Sequence, residues 1–174
     1  MKVSPDGINW HTGLAIARSG GAVSLPNGAT VMGHAALHRG NVVGEVSQSS
    51  GIPTGAVIER EVNANGEYVR FADGTQICYS TLNLGNSTAF DNGTFDNLWR
   101  TGIVTWTYPA AFAVPPLIAG SGTIPSPVGN ARRMVLSFRY VTETDTDAIQ
   151  AFRIGSNAEA SDCTAYMIAI GRWF

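Results

Sequence analysis

The sequence predicts an all-β fold, an antiparallel β-sandwich behind an extended N-terminal segment, and three observations carry that prediction. Two turn dipeptides, Asn65-Gly66 and Asp73-Gly74, sit eight residues apart within VIEREVNANGEYVRFADGTQICYS (57–80), the mark of a tight three-strand ribbon. Strand-like stretches then recur every 8 to 12 residues or so toward the C-terminus. No stretch shows a helical period strong enough to outweigh its β-branched and aromatic content.

The elements follow in order. Residues 57–62, 67–72 and 75–82 form the ribbon, with Asn-Gly and Asp-Gly corners that tolerate the positive φ of a type I′ turn. Within 67–72, Tyr68 and Arg70 point one way and Val69 and Phe71 the other. GNSTAFDNGTFDN (85–97) reads as a loop. Strands are expected at 100–108, 114–120, 132–141, 147–154 and 163–173. In 100–108, Ile103, Thr105 and Thr107 alternate with Val104, Trp106 and Tyr108; both sets carry bulk, as in a strand covered on both faces. NARRMVLSF has some helical character, but Val135, Phe138, Tyr140 and Val141 tip it toward strand.

Upstream, residues 18–56 are rich in Gly, Ser, Ala, Asn and Val and are broken by Gly20-Gly21, Pro26-Asn27-Gly28 and SQSSGIPTG. Short strands and loops suit such a segment; an ordinary helix does not. A boundary near Ser50 to Gly55 separates an N-terminal segment, 1–55, from a β-rich domain, 56–174.

With 174 residues and 44% hydrophobic content the chain can bury one core and carry an appendage. The net charge of −2 argues against a dedicated nucleic-acid binder. A single lysine, Lys2, stands against ten arginines, a bias toward planar hydrogen-bonding contacts. No apolar run approaches the roughly 20 residues that span a bilayer. Pro5, Asp6 and Gly7 stand where a signal peptide carries its apolar region, so Sec export is not expected. Cys78 and Cys163 read as two buried free thiols, with a bridge between them left open.

Catalytic templates fail one after another. HAALH places His34 and His38 at helical spacing, but Gly33 and Gly40 flank it and no Glu follows His34, so the two read as polar loop histidines. No serine lies in G-x-S-x-G. GGAVSLPNG lacks the Lys-Ser/Thr of a phosphate loop. The acids of TETDTD (142–147) read as a solvated turn, although on a strand they share one face. Neither an enzyme nor a cofactor is expected. Aromatic residues sit on or beside strands at Trp99, Trp106, Tyr108, Tyr140, Tyr166 and Trp173; Trp106 and Trp173 read as core. Arg132, Arg133, Arg139 and Arg153 fall on strands or their ends, where arginine is poor filler.

VTWTYPAAFAVPPLIAGSG (104–122), with AYMIAIGRWF (165–174), resembles the H-type lectin-like domain. SQSSGIPTGAVIEREVNANGEYVRFADGTQIC (47–78) resembles a segment of appendage proteins in tailed phages and gene transfer agents, tail fibres and head spikes among them. The resemblance implies a homotrimeric sandwich with sugar sites near subunit boundaries, for which Arg132, Arg133, Tyr140 and Arg153 are the candidates. It also implies a virion location after synthesis in the host cytoplasm, and attachment to other virion proteins through residues 1–55. The expected function is multivalent binding of a host surface polysaccharide, without nucleic acid or membrane insertion. The alternative is a decoration or adaptor protein with no ligand.

Overall fold

Period-two alternation becomes strand throughout the second half of the chain. The computed structural model describes residues 30–31, 34–124, 134–153 and 160–174, and every regular element among them is a strand. Arg132, Arg133 and the glycine-rich GGAVSLPNG lie outside the described residues. The chain divides into two units, Met1–Leu37 and His38–Phe174. In the first, β1 (Thr30–Val31) pairs antiparallel with β2 (His34–Ala35).

The second unit begins earlier than the sequence boundary, and the reason is hydrogen bonding. The amide of Ala56 donates to the Glu45 carbonyl at 2.9 Å, that of Ile58 to Val42 at 3.0 Å, and that of Thr54 to Ser47 at 3.0 Å. Residues 42–58 therefore fold back on themselves, with β3 (Gln48–Ser49) and β4 (Ile52–Pro53) as the hairpin tip. Polar and glycine-rich, this stretch carries no alternation that would announce it.

Next come β5 (Ile58–Asn63), β6 (Gly66–Phe71) and β7 (Thr75–Asn86), the expected ribbon. Its corners differ in type from the expectation. Asn63 pairs with Gly66, so Ala64 and Asn65 are the turn centre and Gly66 already belongs to β6. The second corner is a three-residue loop in which Gly74, at φ 93°, takes the left-handed position. Both corners are pinned by tryptophans from later in the chain. The Trp106 indole N–H donates to the Asn65 carbonyl, and that of Trp173 to the Phe71 carbonyl, each at 2.9 Å.

The ribbon extends into a five-stranded antiparallel sheet. β14 (Asp162–Arg172) pairs with β7 along its whole length, and β10 (Leu117–Thr123) pairs with β14, giving the order β10-β14-β7-β6-β5. A second set of strands gathers around β13 (Asp145–Arg153). β11 (Met134–Ser137) and β12 (Tyr140–Val141) lie on one edge of it, and β8 (Trp99–Arg100) and β9 (Val104–Thr107) on the other.

One hydrophobic cluster joins the two sheets. Cys78, Cys163, Ala165, Met167 and Ala169 enter it from the first, and Trp106, Ile149 and Ala151 from the second. Trp106 stacks edge-on to Tyr108 at 5.1 Å, and Tyr108 edge-on to Phe112 at 5.2 Å, the offset geometry that aromatic quadrupoles favour. Several polar groups inside are paired. The Tyr108 hydroxyl lies 2.6 Å from that of Thr146, and the Gln76 amide donates to the Ala110 carbonyl at 2.9 Å. On β9 only the Val104–Trp106 side is covered; Ile103, Thr105 and Thr107 face outward, contrary to the expected double cover. Trp106 is core, as its sequence context indicates.

Ala148 carries a feature with wide consequences. It sits in the left-handed region at φ 53°, and there β13 gains one residue against β9: Thr146 faces Trp106, but Ile149 faces Val104. The bulge inverts the alternation. Thr146 is buried before it, and Ile149, Ala151 and Arg153 after it.

Two predictions follow from this packing. A β-branched side chain is strained at positive φ, so Ala148→Val lowers stability by about 1–3 kcal/mol while Ala148→Gly stays within about 1 kcal/mol, read from chemical-denaturation midpoints. Both thiols are free and buried, and burial pushes each up to about 11. The folded protein at neutral pH therefore resists iodoacetamide and labels at both cysteines only in denaturant; rapid native labelling contradicts the placement.

Candidate binding surface

Alternation and the bulge together decide which candidate residues meet solvent. Tyr140 lies on β12 opposite Asp147 of β13 and is 59% exposed. The guanidinium of Arg139 sits 5.6 Å from the centre of the Tyr140 ring. Asp147 accepts a hydrogen bond from the Thr105 hydroxyl of β9. That bond, then the Ala148 backbone N–H and Arg139, holds its carboxyl below the usual aspartate range. An aromatic face, a guanidinium, a carboxylate and a hydroxyl thus share one exposed patch on the second sheet. In chemical terms the patch offers a flat aromatic face that can meet C–H groups, and charged partners that can meet hydroxyls.

Arg153 is absent from this patch. It is 2% exposed and lies at the far end of β13, beside Met134 and Trp99. Six residues of strand separate it from Asp147, about 20 Å. In an unbroken strand Arg153 would share a face with Asp145 and Asp147; the bulge at Ala148 turns it into the core instead. Its expected role as a surface contact is corrected accordingly. Arg139, Asp147 and Thr105 were not among the expected contacts. Arg139 was visible as a strand arginine and Asp147 as one of the TETDTD acids, but Thr105 joins them only through the β9–β13 pairing.

The histidines of HAALH are not on a helix: His34 belongs to β2, and His38 caps a turn by accepting the Gly40 amide at 3.0 Å. The TETDTD acids divide between two settings. Glu143 lies in the turn closed by Thr142 and Asp145, and β13 begins at Asp145.

A second polar arrangement lies on the first sheet, in a cleft of about 440 Å³ lined by Val46, Glu59, Glu61, Tyr68 and Arg70 among others. Glu59 is buried. It accepts hydrogen bonds from the Val46 amide at 2.8 Å and the Tyr68 hydroxyl at 2.5 Å, and Arg70 approaches it at 3.6 Å. Burial first, and then this carboxylate, keeps the Tyr68 hydroxyl protonated well above the usual tyrosine range. Arg70 is also 5.0 Å from the Tyr68 ring centre and 5.5 Å from that of Trp173. Each group here is held by another, so the cluster fastens residues 42–46 to the ribbon. Glu59→Ala leaves the Val46 amide and Arg70 without this carboxylate, and is expected to lower stability by about 2–3 kcal/mol in a denaturant titration. Glu59→Gln is expected to recover part of that loss.

No protein-family signature matches the sequence. No curated protein matches it either. Solved pyocin fibres are similar in structure. A P. aeruginosa R1 pyocin fibre aligns over 67% of this chain and 29% of its own length, at 19% identity and a TM-score of 0.46. An N-truncated R1-type pyocin tail fibre aligns at the same identity and score over 88% of its length. A P. aeruginosa R2 pyocin fibre aligns over 98% of this chain and 42% of its own, at 17% identity and a TM-score of 0.41.

Proposed function

We propose that this chain is a structural virion protein, a homotrimeric tail fibre or head spike that attaches a particle to host surface polysaccharide. The observation that carries the reading is the exposed patch of Tyr140, Arg139, Asp147 and Thr105, built on a unit whose described regular elements are all strands. The two sheets sharing one core act as the sandwich of an H-type lectin-like domain, in keeping with the sequence resemblance. Of the N-terminal segment 1–55, the part that precedes the second unit, residues 1–37, serves as the particle anchor.

Attachment is passive and multivalent. A shallow patch of this kind holds a sugar weakly, but copies joined in one fibre, and fibres joined on one particle, make each later contact effectively intramolecular. Millimolar contacts then sum to durable adsorption. Arg132 and Arg133 precede β11 in sequence and remain candidates for the same ligand. The chemistry asked of these groups is recognition, with no bond made or broken.

The test is adsorption of the purified full chain to host cells and to a glycan array. Tyr140→Ala removes the aromatic face and is expected to weaken cell adsorption about tenfold without changing oligomer mass. Arg133→Ala is expected to act in the same direction. Wild-type protein that binds neither cells nor glycans, with particle assembly lost on deletion of residues 1–37, would establish the ligand-free adaptor instead.

A further inference from the structure

The outer face of the five-stranded sheet carries an apolar stripe across its middle strands where a solvated face would be polar. Residues paired across an antiparallel sheet point to the same side, so the register defines this face row by row. One row runs Leu117, Ile170, Ile77, Val69; the next contains Ile168 and Tyr79, and Tyr166 follows on β14. Leu117 is 82% exposed, Tyr166 49%, Ile170 43% and Ile168 37%. The opposite side of β14 is filled by Cys163, Ala165, Met167 and Ala169, so these outward side chains have no place in the core of their own unit. Contiguous exposed apolar surface of this kind marks an interaction site.

We propose that this face is the contact between copies of the chain, centred on Tyr166, Ile168 and Ile170. Two observations select a second copy as the occupant. The first is charge. Across the paired rows the charged side chains are Arg60 and Glu67, which form an ion pair with each other, and Asp162 and Arg172 at opposite ends of β14. Copies can meet here without like-charge repulsion at the centre.

The second is size. Five strands about 4.8 Å apart and about 7 residues long at about 3.3 Å each give a flat footprint on the order of 550 Å². Side-chain relief enlarges that toward the roughly 800 Å² per partner of a standard stable interface. The inference deepens the self-assembling part of the proposed function and does not depend on sugar binding.

Analytical ultracentrifugation of the full chain tests it together with radical footprinting. The unaltered protein is expected to sediment as an oligomer of 18.4 kDa chains. Ile168→Glu is expected to sediment as a single chain with its β-type circular dichroism retained. Val135→Glu, a change at an exposed apolar residue of the other sheet, is expected to leave the oligomer intact. If Ile168→Glu loses its fold, Ile168→Thr is read instead, with a dissociation constant raised about tenfold or more. In the unaltered protein Tyr166 should take up less label than Tyr140, although the two are similarly exposed in one chain. A monomeric wild type, equal labelling of the two tyrosines, or an oligomer indifferent to Ile168 would each overturn the inference. Loss of glycan binding with the oligomer intact would count against the attachment reading alone.

Discussion

A strand that is apolar on both sides cannot be satisfied by a two-sheet unit, and β14 is such a strand. Its inward residues, Cys163, Ala165, Met167 and Ala169, are all nearly inaccessible, which leaves the interior of the first sheet small and smooth on this strand. Trp106, Tyr108 and Phe112 supply the bulk that meets it. Small opposite large lets the two sheets share a core at native density, and two tryptophans can then hold the ribbon corners with their indole N–H groups. The outward residues have no such counterpart. Their exposure is a consequence of the same alternation that makes the core.

The bulge at Ala148 is the second determinant, and it acts on the other sheet. Without the extra residue, one half of β13 would present its polar side to the core. With it, Thr146 and Ile149 both face inward while Asp147 remains at the surface opposite Tyr140. β11 and β12 keep one continuous register against β13 through the disturbance, since Met134 pairs with Arg153 and Tyr140 with Asp147. The ladder is interrupted at Phe138 and Arg139, and that interruption leaves Arg139 close to the Tyr140 ring. The surface patch and the burial of Arg153 therefore have one cause. A backbone conformation that costs an alanine on the order of 1 kcal/mol persists because burial on both sides of it is worth more.

Much of this architecture was legible in the sequence, and the misses share a physical pattern. The ribbon was legible because Asn-Gly and Asp-Gly interrupt runs of alternating side chains, and alternation reports directly on which face is buried. The last strand was legible for the same reason, with Ala and Met against Tyr and Ile at every second place. Arg153 was misplaced because a bulge closed by alanine leaves no mark in composition; a glycine there would have flagged it. The fold-back of residues 42–58 was missed because it rests on backbone hydrogen bonds among small and polar residues. Turn types were misassigned at both corners, since a dipeptide shows that the chain reverses but not how many residues it takes. Thr105 was invisible as a partner of Asp147 because their approach depends on the pairing of β9 with β13.

Under the proposed function, the separation of the two surfaces matters as much as either alone. The aromatic and charged patch is built from β9, β12 and β13, and the apolar face from β10, β14, β7 and β6. Assembly through the second consumes none of the groups in the first. That arrangement is what avidity requires, because linking copies strengthens attachment only if every copy keeps its ligand-facing residues free after association. The chemistry of each surface suits its role. A preformed β-face with an apolar, uncharged centre loses little side-chain entropy when it packs against another, and so favours a lasting contact. On that reading, a tyrosine flanked by arginine and aspartate stays hydrated and would give a weak, reversible grip, the kind from which a multivalent fibre would draw its selectivity.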